Sequence, residues 1–427
     1  MMTMRILFCK WRRAFGVTSF PAGMLAERSL CLPFLFFCLF VVSAEGRAEG
    51  GWELPAGVAQ LSDSLKRQYA PDARVALFEV DYACAGTCVM VRGVTTSLEA
   101  KTALLNGLKA RHYEVTDCLK LLPDSVALDG KTYGVVNLSV CNLHARPDFA
   151  SEMVTQGLLG MPVRVLQQDG WFRIQTPDRY IAWVHRAGIR LMTRAELAAW
   201  NRAEKLVVTA SYGTVYDRPQ RDAQPVSDVV SGDRLKWEGQ KGAYYAVSYP
   251  DGRKGYLHKS LGMPEHRWRS ALEQTPAAVL QTARSLMGVP YLWAGMSSKG
   301  MDCSGFVRTV LYLHDILMPR DASQQAYVGE RIKIAPDRSN LQAGDLLFFG
   351  SRTAAGRKER IVHVGIYIGD HRFIHSQGDV HVSSLDPADE LFDAFNLDRL
   401  LFATRVFPYI NKVEEIVTTD RHPLYND

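Results

Sequence analysis

The chain has little net charge once its N-terminal segment is set aside. Residues 1–44 hold five Lys or Arg residues and one acid, so they carry +4 of the formal net charge of +5. The rest of the chain is close to neutral, and nothing in its charge pattern indicates a nucleic acid partner. At 427 residues the chain is too long for one ordinary domain, and we expect three or four.

The apolar run near the N-terminus is too short to predict a membrane span. Residues 30–42 are almost wholly apolar, and residues 42–44 (Val-Ser-Ala) fit cleavage after a small residue. We therefore predict a signal peptide over residues 1–44 and export to the periplasm or cell envelope. An uncleaved anchor, which would bring the protein to a membrane, is the alternative.

Cysteine is scarce, and its distribution separates one thiol from the rest. Of eight cysteines, three lie in the predicted leader, and four more are Cys84, Cys88, Cys118 and Cys141. These four can form two disulfides in three connectivities, or remain buried thiols. A zinc site is a weaker interpretation, because their spacing is a poor match to paired metal ligands. Cys303 is left without a partner.

Residues 45–132 are predicted to form a small α/β domain. Residues 74–80 and 88–94 have the composition of strands, residues 97–111 that of an amphipathic helix capped by Ser97, and residues 112–119 that of a third strand. We find no catalytic set among them. The domain is expected to serve in packing or docking.

An internal repeat follows. Residues 171–184 align with residues 244–257 at an offset of 73, with a Pro-Asp turn in each copy. Short alternating strands in both copies predict two β-barrels, over residues 133–200 and 201–262, which resemble bacterial SH3 modules. Residues 263–274 are interpreted as a linker, and Thr275 with Pro276 marks the start of a helix.

Cys303 lies where an irregular segment changes to an apolar pattern of helical period. Asp302 is the predicted N-cap, which places Cys303 in the first turn, where the helix dipole lowers a thiol pKa. Downstream, His363 lies in one predicted strand and His375 in the next. One cysteine at a helix start with a histidine on each of two adjacent strands is typical of a cysteine hydrolase.

The spacing of the two histidines constrains the hairpin between them. Twelve positions separate His363 from His375, and a tight two-residue turn at Asp370-His371 would put them on opposite faces. We therefore predict a bulge or a loop of odd length. His371 and His381 are interpreted as surface residues.

Five motifs in sequence order resemble the NlpC/P60 cysteine peptidases. They lie at residues 288–295 (Gly-Val-Pro-Tyr-Leu-Trp-Ala-Gly), 302–307 (Asp-Cys-Ser-Gly-Phe-Val), 319–324 (Pro-Arg-Asp-Ala-Ser-Gln), 344–349 (Gly-Asp-Leu-Leu-Phe-Phe) and 363–367 (His-Val-Gly-Ile-Tyr). The resemblance implies an α+β fold with a papain-like catalytic domain over residues 275–410, followed by a tail over 411–427. It implies that Cys303 is the nucleophile, His363 the base and His375 the residue that orients it, without metal or cofactor.

The resemblance also implies a substrate. Relatives with two preceding SH3-like modules resemble dipeptidyl-peptidase VI enzymes, which cut the γ-D-glutamyl–diamino acid bond of peptidoglycan stem peptides with a free N-terminal L-alanine. Family positions around the pocket correspond to Tyr291, Trp293, Asp302, Ser304 and Asp321. An acid beside the nucleophile is costly unless it faces a cation, so we expect the substrate ammonium near Asp302.

The first SH3-like module is expected to close the amine end of that pocket. Glu152 and Tyr180 resemble the acid and the tyrosine with which such a module binds the free amine. The alternative function is a non-catalytic scaffold that binds peptidoglycan through its SH3-like modules. A third possibility, an acyltransferase or amidase, would need a more open or lipid-lined cleft. We expect a monomer.

Overall fold

Four β-sheets of three or more strands organise the part of the chain that the computed structural model describes, residues 54–352 and 359–426. In chain order they have three, seven, seven and six strands. Helices pack on the first and the last of these sheets, so the predicted α+β class is confirmed. The leader predicted for residues 1–44 lies outside the described residues.

The first sheet has a parallel pair joined by a helix. Its elements are α1 (Ala56–Tyr69), β1 (Phe78–Ala85), β2 (Cys88–Thr95), α2 (Leu98–Lys109) and β3 (Glu114–Leu121). β1 and β2 form an antiparallel hairpin, and α2 crosses over to β3, which runs parallel to β2. Ser97 caps α2 as predicted, because its Oγ accepts a hydrogen bond of 3.0 Å from the backbone N–H of Ala100.

The strand predicted over residues 74–80 is wrong in its first half. β1 begins only at Phe78, and residues 73–75 form a turn. The apolar pattern of this segment reflects contacts with another sheet. Leu77 is buried in a cluster with Leu122, Leu166 and Ile181, and the last two belong to the next sheet along the chain.

The two seven-stranded sheets have the same topology. The first contains β4 (Tyr133–Val136), β5 (Val140–His144), β6 (Met153–Leu158), β7 (Pro162–Asp169), β8 (Trp171–Gln175), β9 (Ile181–Val184) and β10 (Ile189–Met192). The second contains β11 (Lys205–Val208), β12 (Tyr212–Tyr216), β13 (Pro225–Val230), β14 (Arg234–Lys241), β15 (Tyr244–Ser248), β16 (Lys254–His258) and β17 (Gly262–Pro264). Their strand orders, β10-β4-β7-β8-β9-β5-β6 and β17-β11-β14-β15-β16-β12-β13, match strand for strand. The repeat predicted from the sequence is confirmed.

Two segments taken as connections are packed elements instead. The predicted linker over residues 263–274 contains the end of β17 and the helix α4 (Glu265–Ala271), and the predicted tail contains β27 (Val417–Thr418) and α9 (Pro423–Asn426). The physical reason is the buried guanidinium of Arg234. Trp268 of α4 and Tyr425 of α9 both lie over it, at 5.5 and 5.0 Å.

The last sheet supports the helix that begins at Cys303. The helices and short strands are α3 (Arg194–Arg202), α5 (Pro276–Ser285), β18 (Met296–Ser297), β19 (Gly300–Met301), α6 (Cys303–Tyr312), β20 (Ile316–Leu317), α7 (Ala322–Gln325) and α8 (Ala394–Asp398). The sheet contains β21 (Glu330–Ile332), β26 (Leu400–Arg405), β22 (Leu346–Arg352), β23 (Glu359–Gly369), β24 (Arg372–Gln377) and β25 (Asp379–Ser384), in that order. Every residue of α6 is buried. Phe306 and Val310 of α6 share a core with Val364 and Ile374 of the sheet, which fixes the helix on β23 and β24.

The four cysteines that could form two disulfides are free thiols. Within the described residues none of Cys84, Cys88, Cys118 and Cys141 forms a disulfide. Three of them lie on the first sheet, whereas Cys141 is buried in the next one, so the disulfide alternative is contradicted and the buried-thiol alternative holds for Cys141. Within residues 54–352 and 359–426, no helix is long and apolar enough to span a membrane.

The shared core around Leu77 makes a prediction about stability. Leu77 is 1% exposed, and truncating it to Ala removes packing between the N-terminal domain and the first seven-stranded sheet. We expect a loss of about 2–5 kcal/mol in the free energy of unfolding, measured by urea titration. Leu98→Ala, at a position 57% exposed, is the matched control and should change it by less than about 0.5 kcal/mol. Equal effects of the two substitutions would contradict the shared core.

Candidate active site

The start of α6 is built to present Cys303. Asp302 is the N-cap, as predicted, and its Oδ1 accepts a hydrogen bond of 2.6 Å from the backbone N–H of Gly305. A Cβ at Gly305 would lie 2.0 Å from the carbonyl oxygen of Gly295, so only glycine allows the preceding loop to pass this close to the helix. The helix terminus and the loop over residues 291–295 therefore form one packed unit.

The predicted bulge is present and puts both histidines on one face. Asp370 and His371 form the turn, both with positive φ (48° and 60°), and the register of β23 against β24 shifts between Tyr367 and Gly369. The shifted register places His375 across from Gly365, two residues along from His363. The histidines are therefore diagonal neighbours on one face of the sheet.

The two imidazoles form a hydrogen-bonded relay. Nε2 of His363 lies 2.8 Å from Nδ1 of His375, and Nε2 of His375 lies 3.1 Å from Oγ of Ser383 on β25. This relay occupies Nε2 of His363, and Nδ1 is the other ring nitrogen. Ser383 is not among the residues predicted from the sequence. His381 was predicted to be a surface residue, whereas its ring packs edge-on against His375 at 4.5 Å.

Burial controls the protonation of the thiol and of its neighbour. Desolvation, with the nearby Asp302 carboxylate, raises the pKa of Cys303 to about 11, although the backbone N–H groups of Val364 and Ser304 oppose this. Desolvation also lowers the pKa of His363 to about 3. The expectation that the helix terminus lowers the thiol pKa is therefore contradicted, because burial outweighs the dipole. At neutral pH both groups are uncharged.

The cation that faces Asp302 belongs to the protein. Arg320, which is 1% exposed, donates to both carboxylate oxygens of Asp302, at 3.1 and 2.7 Å, and to Oγ of Ser304 at 2.9 Å. The expectation of a substrate ammonium at Asp302 is therefore contradicted, because this carboxylate already has a bidentate partner. Arg320 lies in the motif at residues 319–324, but the sequence alone could not show that its partner is Asp302.

Tyr291 and Trp293 lie in the loop that precedes α6. Burial raises the pKa of Tyr291, and the charges of Cys303 and Asp302 raise it further. Trp293 is 61% exposed, and its Nε1 donates a hydrogen bond of 3.0 Å to Oε1 of Glu152. Glu152, from the loop before β6, therefore contacts the loop that precedes α6.

A second acid lies on the other side of Arg320. Asp321 follows directly in the chain, and the hydroxyl of Tyr180 donates to its Oδ2 at 3.4 Å. Burial raises the pKa of Asp321, whereas Arg320 and Arg74 lower it. Arg74, from the turn before β1, donates to the same Oδ2 at 2.7 Å. Arg74 is not among the predicted site residues, because its sequence context predicts a strand of a domain without a catalytic set.

Comparisons with known proteins agree with this geometry. The NlpC/P60 family model matches residues 288–394, and the model of the bacterial dipeptidyl-peptidase SH3 domain matches residues 143–189. A γ-D-glutamyl-L-lysine dipeptidyl-peptidase of Bacillus cereus is 33% identical over 239 residues, which are 53% of this chain and 68% of the relative. Dipeptidyl-peptidase 6 of Lysinibacillus sphaericus is 29% identical over 272 residues, 60% of this chain and 93% of the relative.

A solved structure has a similar fold. The crystal structure of an NlpC/P60 family protein from Bacillus cereus superposes with a TM-score of 0.53 at 24% identity, over 65% of this chain and 100% of that one. A buried thiol at a helix start, beside paired imidazoles on the adjacent hairpin, defines the class of cysteine peptidases. Within that class, the chain belongs to the NlpC/P60 family.

Gly365 makes the first prediction for the site. A Cβ at this position would lie 2.9 Å from Cδ2 of Phe373 and 3.2 Å from Cβ of His375. We expect Gly365→Ala to displace His375. The substitution should lower the free energy of unfolding by about 1–3 kcal/mol and lower kcat/KM for peptide hydrolysis at least about tenfold. Gly57→Ala, where the nearest atom lies at 3.9 Å, is the control. Wild-type kcat/KM in Gly365→Ala would show that the relay tolerates this shift.

The neutral state of the Cys303 thiol gives a second prediction for the site. Because the pKa of Cys303 is raised to about 11, its thiolate fraction should rise about tenfold for each pH unit between pH 7 and 10. The measurement is the alkylation rate of Cys303 by iodoacetamide, followed by mass spectrometry of the peptide that contains it. A free cysteine peptide, the reference, should level off near pH 9. A rate for Cys303 that is constant from pH 5 to 8 would instead indicate a thiolate–imidazolium pair.

Proposed function

We propose that this protein hydrolyses the γ-D-glutamyl–diamino acid bond of peptidoglycan stem peptides that carry a free N-terminal L-alanine, and releases the dipeptide. The observation that carries the proposal is the position of Cys303 at the start of α6, which packs on β23 and β24, the two strands that bear His363 and His375. The names of the dipeptidyl-peptidase relatives support the substrate class.

The neutral resting state defines the chemistry. As Sγ of Cys303 attacks the γ-carbonyl carbon, His363 takes the thiol proton and becomes an imidazolium, whose Nε2–H donates to Nδ1 of His375. His363 then gives the proton to the leaving amine while the C–N bond breaks, which leaves a thioester on Cys303. Water attacks the thioester with His363 as base, and the dipeptide acid leaves as the thiol is restored.

The relay has a further role in this sequence. With Nδ1 of His375 as an acceptor, its Nε2 carries the proton that it donates to Ser383. Ser383 thereby fixes the tautomer of His375, and His375 fixes the ring of His363. Loss of His375 should leave His363 free to rotate, so we assign His375 to orientation and proton stabilisation.

The ammonium group of the substrate is assigned to two acids and one tyrosine. We propose that Asp321, Tyr180 and Glu152 bind the ammonium group, while Tyr291 and Trp293 form the wall between that end and the thiol. The proximity of Tyr180 to Asp321 and the contact of Glu152 with Trp293 support this assignment. Asp302 and Ser304 have a supporting role in this assignment, because they hold Arg320 and the start of α6.

The cellular setting is part of the proposal. The predicted leader over residues 1–44 would export the protein to the periplasm or cell envelope, where peptidoglycan is its partner. A requirement for a free L-alanine suits soluble fragments and thus murein recycling. The scaffold alternative is disfavoured, because a spent site would not need the buried thiol, both imidazoles and the hydroxyl that orients them.

The test is cleavage of a matched pair of peptides. Purified protein is incubated with L-Ala-γ-D-Glu-L-Lys and with its N-acetylated form, and the products are separated by chromatography. We expect cleavage of the free-amine peptide alone, and none with Cys303→Ala. Cys118→Ala, which removes an exposed thiol of the first sheet, is the control and should retain activity. Equal cleavage of both peptides would contradict the dipeptidyl specificity.

A further inference from the structure

The turn before β1 inserts a cation at the amine end of the proposed site. Nη1 of Arg74 donates to Oδ2 of Asp321 at 2.7 Å and to Oγ of Ser323 at 2.9 Å. The rest of the same guanidinium binds Asp72, with Nε to Oδ1 and Nη2 to Oδ2, each at 2.8 Å. One arginine of the N-terminal domain therefore joins Asp72 to the acid that Tyr180 contacts.

This arginine is fixed from both sides. Its carbonyl oxygen accepts a hydrogen bond of 2.6 Å from the backbone N–H of Ile181, next to Tyr180, and Nε2 of Gln324 donates to Oδ2 of Asp72 at 3.0 Å. The buried cluster around Leu77 follows directly in the chain. These contacts hold the guanidinium at one wall of the proposed site.

The charges leave room for an ammonium group. Asp72 and Asp321 carry two negative charges against the single positive charge of Arg74, so one negative charge is uncompensated within this group. Arg74 and the Tyr180 hydroxyl both contact Oδ2 of Asp321. A substrate amine would therefore approach the other oxygen, Oδ1.

We propose that the N-terminal domain completes the substrate site through Arg74, a positioning residue that holds the Asp321 carboxylate in one orientation and as an anion for the free amine. The inference rests on the proposed function. It also gives residues 54–132 a role that their own sequence does not indicate, because the residue they supply acts on an acid more than 240 positions away.

Other charged groups around Asp321 act in both directions. Arg320 stabilises its anionic form together with Arg74, whereas burial and the negative charge of Asp302 oppose it. Tyr180 stays neutral, because burial and Asp321 raise the pKa of its phenol. Removing Arg74 takes away one of two cations, so the carboxylate should take up a proton at higher pH than in the wild type.

The test compares two Arg→Gln substitutions at the same domain interface. Arg74→Gln should raise KM for L-Ala-γ-D-Glu-L-Lys about tenfold at pH 6, and less at pH 8, while kcat changes little, because a lost ground-state contact weakens binding. Arg74→Lys, which keeps the charge, should stay within about threefold of wild-type KM. Arg173→Gln is the control: Arg173 binds Glu79 at 2.8 and 2.5 Å across this interface, and its loss should leave KM and its pH dependence unchanged.

A second measurement does not depend on activity. In protein labelled with 13C at the aspartate carboxylates, the resonance that is absent in Asp321→Asn reports the titration of Asp321. Its midpoint should move to higher pH in Arg74→Gln and stay in place in Arg173→Gln. If the wild type cleaves neither peptide, the proposed function fails while this midpoint still tests the coupling.

Two results would overturn the inference. An unchanged midpoint together with an unchanged KM in Arg74→Gln would reduce Arg74 to an interface contact. A higher kcat/KM in Arg74→Gln would show instead that the guanidinium competes with the substrate amine for Asp321.

Discussion

The buried ion pair between Asp302 and Arg320 is the interaction on which the rest of the site depends. Asp302 caps α6 and also accepts a hydrogen bond of 2.9 Å from the backbone N–H of Ala294, so it ties the helix start to the loop of Tyr291 and Trp293. Removing one partner of such a pair leaves an uncompensated buried charge, at a cost of about 3–5 kcal/mol. The helix start that carries the thiol and the loop of Tyr291 and Trp293 are thus joined through the carboxylate that one guanidinium holds.

Burial gives this site a different resting state from the one a helix terminus alone would produce. A thiol in the first turn of a helix normally becomes more acidic, yet Cys303 is 8% exposed and loses more solvation than the dipole returns. A neutral thiol is a poor nucleophile. In the proposed mechanism the proton of Cys303 therefore moves when a substrate carbonyl is in place, and the relay through His375 and Ser383 stabilises the imidazolium that results.

Features that depend on local sequence could be predicted, and features that depend on tertiary packing could not. The cap at Asp302 follows from residue type, and the bulge before Gly369 follows from the parity of the spacing between two histidines. The matching topology of the two seven-stranded sheets follows from the repeat. By contrast, α4 and α9 pack because their aromatic residues cover the buried guanidinium of Arg234. The segment around Arg74 has an apolar pattern because Leu77 packs against a second sheet. The predicted lowering of the Cys303 pKa was wrong, because the sequence does not show how deeply this thiol is buried.

The chemistry proposed for Cys303 is tested most directly by trapping its thioester. L-Ala-γ-D-Glu-L-Lys is mixed with the enzyme, quenched in acid within milliseconds to seconds, and the digest is examined by mass spectrometry. The predicted result is an L-alanyl-γ-D-glutamyl adduct on the peptide that contains Cys303, absent with the N-acetylated substrate. Turnover of the free-amine peptide without any adduct at Cys303, or with the adduct at another residue, would contradict the assignment of this thiol as the nucleophile.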